Sequence, residues 1–329
     1  MYGYNIFHDM QADELIKSVR NLQSRQAYLF TGPVGVGRHE VAKLFANALV
    51  CTNTASAPCG RCQACIGAKN ATNPDIRYIK PEGDKKTVSA EQAREIVADA
   101  YIRPFESAKK VYIVDDGAVL NEFAQNCLLK VLEEPPEYVV FIIVAASETV
   151  LLQTVLSRCT LVRFPAVSDK TMKEYILKTY PKYEEKAELL TGLASGIPAM
   201  IDKIVNDENF SALRKESFTM LAPLMSSEKI SAYTVTEFLE NNKERAEDIF
   251  DFWLSFLRDI MLIQNNSENL IVNIDMQEEL KNNSFRINEK HIIIASEQII
   301  RAKSMLRRYV NLHILGLNLS FLIKKRLYK

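Results

Sequence analysis

The sequence predicts an α/β domain built on a parallel sheet, followed by a small helical domain and a larger all-α domain. Short apolar runs alternate with helical patterns in the first half of the chain, at residues 27–30, 111–114 and 139–144. Strands separated by helices imply crossover connections and therefore a parallel sheet. Beyond Pro165 strand-like runs become scarce and the pattern is helical. The expected domains are residues 1–165, 166–206 and 207–329.

Composition limits the classes of function. The 329 residues are 47% hydrophobic and 25% charged, which is typical of a globular protein with two or three cores. Basic and acidic residues number 41 each, so contact with nucleic acid needs a local basic patch, for which Lys85, Lys86, Arg94, Lys109 and Lys110 are candidates. We expect a cytoplasmic protein without membrane contact, because no signal-peptide pattern is present and the longest apolar run cannot span a bilayer.

The segment after the first strand reads Gly-Pro-Val-Gly-Val-Gly-Arg-His, which has the spacing of a phosphate-binding P-loop. Gly32, Gly35 and Gly37 allow backbone amides to wrap an anion at a helix N-terminus. Arg38 stands at the lysine position, and its planar head does not replace an ammonium group. His39 stands at the hydroxyl position and cannot supply a hard oxygen ligand to Mg²⁺. We predict a loop that can hold ATP or ADP without hydrolysing it; a glycine-rich turn without a ligand is the alternative.

Two carboxylates end the strand at 111–114. In P-loop ATPases the first such residue supports Mg²⁺, and a following glutamate positions the attacking water. Here the residues are Asp115 and Asp116, and the second is one methylene shorter than glutamate. That difference weakens the positioning of water, where small displacements are costly. An ordinary polar strand end is the alternative interpretation.

Four cysteines lie within fifteen residues, at Cys51, Cys59, Cys62 and Cys65. Four thiolates suit tetrahedral Zn²⁺, with Zn–S bonds of about 2.3 Å. In a reducing compartment such spacing favours a metal site over disulfides. We predict a structural zinc site in an insertion at 51–65, with an iron–sulfur cluster or free thiols as alternatives.

A Ser-Arg-Cys sequence follows the third predicted strand and places Arg158 near a helix end. Most such arginines form surface salt bridges. The sharper hypothesis is an arginine finger offered to the nucleotide of a neighbouring subunit, where its charge stabilises the transition state of phosphoryl transfer.

These motifs together resemble the bacterial clamp-loader branch of the AAA+ ATPases. The resemblance lies in Asn126–Pro136, Leu156–Cys159 and the cysteine insertion after the P-loop helix. It implies an AAA+ P-loop domain, a helical lid domain and a helical collar domain. Ala145 and Ala146 stand where active members carry a polar sensor, and the second sensor arginine is missing near Gly196–Ala199.

Within this branch the tau/gamma motor subunits keep Gly-Lys-Thr/Ser, so this chain resembles the members that do not hydrolyse ATP. The resemblance implies a ring with tau/gamma and delta subunits that places a sliding clamp on primed DNA. It also implies that Arg158 completes an adjacent ATP site. Two alternatives stay open: a divergent tau/gamma-like ATPase that uses Arg38 and Asp116 directly, or a zinc-dependent nucleic-acid adaptor with a non-functional P-loop.

Overall fold

The computed structural model describes residues 7–83, 85–226, 230–306 and 311–325. The chain divides into two compact units, one formed by residues 1–174 with 195–200 and the other by residues 175–194 with 201–329. The first unit contains the sheet, and the second is helical. The three-domain division with boundaries at 165 and 206 stays a prediction.

Five strands form the sheet in the described part of the chain, in the spatial order β2-β3-β4-β1-β5. Every neighbouring pair is parallel, as the sequence predicts. The strands are β1 (Ala27–Thr31), β2 (Ile76–Ile79), β3 (Lys110–Val114), β4 (Val139–Ala145) and β5 (Thr160–Arg163). The three central strands are buried along their whole length, whereas the two edge strands are only partly buried.

Helices precede, connect and follow the strands of this sheet. They are α1 (Asp9–Arg20), α2 (Arg38–Val50), α3 (Gln63–Lys69), α4 (Ala90–Ala100), α5 (Glu122–Glu133), α6 (Gln153–Leu156) and α7 (Asp169–Thr179), the last of which crosses into the second unit. Side-chain caps fix several starts: Ser89 accepts from the amide of Gln92, and Asn121 accepts from the amide of Ala124. α2 begins directly after Gly37, whose left-handed conformation turns the chain out of the P-loop.

Apolar side chains are packed on both faces of the sheet. Tyr112 of β3 stacks on Phe141 of β4 with ring centroids 4.8 Å apart. Phe30 of β1 packs close to Phe45 of α2 on the other side of the sheet. Strands covered on both faces need apolar side chains at successive positions, which is why β4 reads as an uninterrupted apolar run.

The second unit consists of packed helices. They are α8 (Ala187–Ala194), α9 (Pro198–Asn206), which begins in the first unit, α10 (Phe210–Leu224), α11 (Ala232–Asn241), α12 (Ala246–Gln264), α13 (Gln277–Ser284), α14 (Glu289–Leu306) and α15 (Leu312–Lys325). Trp253 of α12 is completely buried and donates its indole N–H to the carbonyl of Ser217, 2.8 Å away. Among the described helices, none combines the length and apolar character needed to cross a membrane.

Candidate functional site

The P-loop joins the carboxyl end of β1 to the start of α2. Gly32, Gly35 and Gly37 all have positive φ angles, of 152°, 83° and 106°. A Cβ atom at Gly32 would lie 2.1 Å from the carbonyl oxygen of Phe164, so a side chain does not fit there. The loop therefore keeps the glycine-dependent backbone that the sequence predicts.

Two carbonyl groups of this loop are bound by residues that sequence analysis did not identify as site residues. The buried ring of His8 donates Nε2–H to the carbonyl of Val36 at 3.0 Å. Burial lowers the pKa of His8, which favours the neutral ring. The amide of Ala199 donates to the carbonyl of Gly35 at 3.2 Å. These contacts hold the loop from the N-terminal segment and from the segment at 195–200.

Arg38 is buried, with only 3% of its surface exposed. Its Nη1 donates to the carbonyl of Ala145, the last residue of β4. Its Nε is buried without a hydrogen-bond partner among the described residues. Burial lowers the pKa of the guanidinium, while the negative charge of Asp116 raises it. The cation at the lysine position of the loop is thus engaged with the end of a neighbouring strand.

The two carboxylates after β3 are also engaged. Asp115 lies between His39 and Lys80, with Nδ1 and Nζ each 3.5 Å from a carboxylate oxygen. The hydrogen bond with His39 lowers the pKa of Asp115 most strongly; burial opposes this, and Lys80 lowers the pKa further. Asp116 accepts from the amide of Ala118 at 3.0 Å and caps the following turn.

This arrangement does not fit Mg²⁺-dependent hydrolysis of ATP. The guanidinium of Arg38 donates into the protein, and Asp115 is paired with two basic side chains where Mg²⁺ would need a carboxylate. An imidazole at position 39 supplies no hydroxyl ligand for the ion. The backbone of the loop remains suited to a phosphate group, because the loop lies at the N-terminus of helix α2.

The four predicted cysteine ligands converge at the far end of α2, about 20 Å from Arg38 by the length of that helix. Their Sγ atoms all lie within 4.8 Å of one another. The Sγ atoms of Cys59 and Cys65 are 4.0 Å apart, close to the roughly 3.8 Å edge of a tetrahedron with 2.3 Å Zn–S bonds. The thiol set therefore fits a four-coordinate metal ion.

Two thiols of this cluster have strongly shifted acidities, in opposite directions: burial raises the pKa of Cys65, whereas the pKa of Cys62 is lowered. Burial raises the pKa of Cys62, but backbone hydrogen bonds from Thr52 and Cys65 outweigh it and lower the pKa to about 6. Cys62 also caps α3, since its Sγ accepts from the amide of Cys65 at 3.4 Å. A thiolate at this position is the form that binds a metal ion.

Arg158 lies just after α6, away from the P-loop, and is about one third exposed. Its Nη2 is 2.5 Å from Oε1 of Glu133, the last residue of α5. Its Nη1 donates to the carbonyl of Thr154 at 2.6 Å. Glu133 is a contact that sequence analysis missed, although the residue belongs to the motif that carries the resemblance.

One of the candidate basic residues for DNA contact is placed wrongly by the sequence reasoning. Lys110 is buried in β3, and its Nζ lies 2.9 Å from the carboxylate of Asp99. Lys109 donates to the carbonyl of Glu137, and Arg94 lies over the ring of Phe123. Lys110 is therefore a structural cation that balances Asp99 inside the fold.

The strand order, the P-loop between β1 and α2 and the carboxylates after β3 define the class of the protein as an AAA+ P-loop ATPase fold. Residues 7–168 match a family model described as DNA polymerase III, delta subunit. Residues 208–325 match a second model, DNA polymerase III, delta subunit, C terminal. The chain belongs to the DNA polymerase III delta-subunit family.

Relatives with known names are similar to this chain over different lengths. The DNA polymerase III subunit delta' of Bacillus subtilis is 24% identical over 300 residues, which cover 90% of each chain. The Pseudomonas aeruginosa subunit delta' is 30% identical over 55% of this chain and 56% of that protein. The Bacillus subtilis subunit tau is 34% identical over 50% of this chain, but only 30% of tau is covered.

Among solved structures, a gamma subunit-related protein of Thermotoga maritima aligns with 96% of this chain and 99% of its own. The alignment has 15% sequence identity and a TM-score of 0.44. The Bacillus subtilis DNA clamp loader delta protein aligns with 95% of this chain, with 14% identity and a TM-score of 0.36.

Replacing His39 with alanine should raise the pKa of Asp115, because the hydrogen bond with His39 is the largest cause that lowers it. A carboxyl group with a depressed pKa stabilises the fold above its ordinary value of 3.8 and loses that contribution as the pH falls through the folded-state pKa. In His39→Ala the contribution should therefore be smaller, and its loss should be complete at a higher pH than in the unmodified chain. A carboxyl ¹³C NMR titration measures this directly. Lys80→Ala is the control and should raise the pKa less; an unchanged pKa in His39→Ala would contradict the assignment.

Proposed function

We propose that this chain is the delta-prime subunit of a bacterial DNA polymerase III clamp loader. It assembles with tau/gamma and delta subunits into a ring that loads the sliding clamp onto primed DNA. Its own P-loop hydrolyses no ATP, and its Arg158 serves as an arginine finger at the ATP site of a neighbouring subunit. Two relatives named delta' support this assignment, one of them matching over 90% of both chains.

The single observation that carries the proposal is the internal engagement of Arg38. A P-loop lysine must reach the β- and γ-phosphates during hydrolysis. Here the corresponding cation is buried and bonded to the carbonyl of Ala145. The pairing of Asp115 with His39 and Lys80 supports the same conclusion, since it occupies the carboxylate on which Mg²⁺ would depend.

The position of Arg158 supports a role towards a second subunit. The side chain is partly exposed on the surface of the sheet unit, at the end of α6, and its hydrogen bonds to described residues go to Thr154, Ser157 and Glu133. An arginine finger supplied by a neighbour requires this kind of placement, because it must enter a nucleotide site built by another chain.

We propose that the four cysteines hold one structural Zn²⁺. The cluster uses four protein thiolates and leaves no open position for a substrate, as in structural zinc sites. Its distance from the P-loop along α2 supports a role in stabilising the segment at 51–65 rather than in chemistry. The bound metal would crosslink the segment after α2 to the start of α3.

The division into a P-loop domain, a lid and a collar belongs to this proposal as well. The helical unit has its own apolar core around Trp253, which supports independent folding of the C-terminal region. Contacts with clamp and DNA would arise through the assembled ring, in the cytoplasm.

Arg158→Ala should lower kcat for the stimulated ATP hydrolysis at the adjacent site by a factor on the order of 10³ or more. Assembly of the ring should be unchanged. The measurement is steady-state hydrolysis by a reconstituted ring with clamp and primed DNA, together with sizing of the complex. Arg163→Ala is the matched control, because Arg163 is an exposed arginine paired with Glu148 in the same unit. Normal hydrolysis by the Arg158→Ala ring would overturn the finger assignment.

Metal analysis of the purified chain should find one zinc per polypeptide and no iron. Cys62→Ser should lose the metal and lower the melting temperature by roughly 5 °C or more, because metal binding is coupled to folding of the segment. Cys127→Ser removes a thiol outside the cluster and should leave the zinc content unchanged. Equal zinc content in the two variants would count against the site.

A further inference from the structure

Helix α5 fixes the segment that leads into α6. Gln125, which is buried, donates its side-chain amide to the carbonyls of Leu120 and Val150, at 2.8 and 3.2 Å. Its side-chain oxygen accepts from the amide of Leu152 at 2.7 Å. The chain that enters α6 is thus held by a side chain of α5 that is satisfied at both of its polar atoms.

The same helix also reaches the end of α6. Glu133 lies eight residues after Gln125, about 12 Å further along α5. Its Oε1 is 2.5 Å from Nη2 of Arg158. Two side chains of α5 therefore hold the segment from Val150 to Arg158. Gln125 bonds the main chain at the start of the segment, and Glu133 forms an ion pair with Arg158 at its end.

The guanidinium of Arg158 is fixed by acceptors from three residues. Nη1 donates to the carbonyl of Thr154 at 2.6 Å and to Oγ of Ser157 at 3.3 Å, and Nη2 donates to Glu133. An arginine side chain has five N–H donors, so two remain available to an incoming phosphate. The guanidinium of Arg158 is therefore held in place while two of its N–H donors stay available for a ligand.

We infer that Glu133 is a positioning residue for Arg158, a conclusion that rests on the proposed role of Arg158 as an arginine finger. A partly exposed ion pair contributes little to folding stability. The effect that we assign to the Glu133–Arg158 pair is therefore on the orientation of the guanidinium. A long side chain that is ordered before the reaction needs no further ordering in the transition state, which is where its charge acts. Glu133 supplies this ordering from the last residue of α5.

Glu133→Ala should lower kcat of the stimulated ATPase of the reconstituted ring by roughly tenfold, with KM for ATP and assembly unchanged. Glu133→Gln keeps an acceptor oxygen at the same distance and should restore most of kcat. Glu134→Ala removes the adjacent exposed carboxylate and should behave as the unmodified chain. A merely structural carboxylate would not produce this split between the alanine and glutamine variants.

The outcomes separate this inference from the proposed function. If Arg158→Ala impairs the ring while Glu133→Ala has normal kcat, the positioning role is wrong and the finger remains. If Arg158→Ala itself has normal kcat, both the finger role of Arg158 and the positioning role of Glu133 are wrong. NMR relaxation of the Arg158 side-chain Nε–H in the isolated chain gives a readout that does not need the ring: Glu133→Ala should make this group mobile, and equal mobility in the unmodified chain would overturn the inference.

Discussion

A buried arginine at the start of α2 ties the P-loop to the end of the central strand β4. The guanidinium of Arg38 donates to the carbonyl of Ala145, and the loop around it is held by His8 and by the amide of Ala199. The carboxyl edge of a parallel sheet is where P-loop proteins place their nucleotide chemistry. Here that edge is bound by the protein's own cation, and the proposed loss of ATP hydrolysis rests on this contact.

The charges of the fold are distributed accordingly. Asp115 is paired inside the sheet unit with His39 and Lys80. Arg158 lies at the surface, and two of its five N–H donors are available for a ligand. Under the proposed function, Arg38 is bonded to the carbonyl of Ala145 within the sheet unit and does not act on phosphate, whereas Arg158 acts on the phosphate of another chain. In the proposed function, the different roles of the two arginines follow from where each charge is directed.

Sequence reasoning predicted the parts of this structure that local patterns encode. Strands β1, β3 and β4 are continuous apolar runs because both faces of the sheet are covered, and the cysteine cluster is compact in sequence as well as in space. The edge strands β2 and β5 were missed because they are half-buried and carry arginines. The partner of Arg38 could not be predicted, since it lies 107 residues away and is a main-chain carbonyl with no signature of its own. Lys110 was misread as a surface lysine because its partner Asp99 lies eleven residues earlier, in α4, beyond the irregular segment at 101–109.

The central claim, that this P-loop hydrolyses no ATP by itself, is tested most directly by the rate of ATP hydrolysis by the purified chain alone at saturating Mg²⁺–ATP. The internal engagement of Arg38 and Asp115 predicts a rate indistinguishable from that of buffer. Sustained hydrolysis that disappears in Asp115→Ala would contradict it, because Asp115 would then be supporting a metal ion rather than pairing with His39 and Lys80.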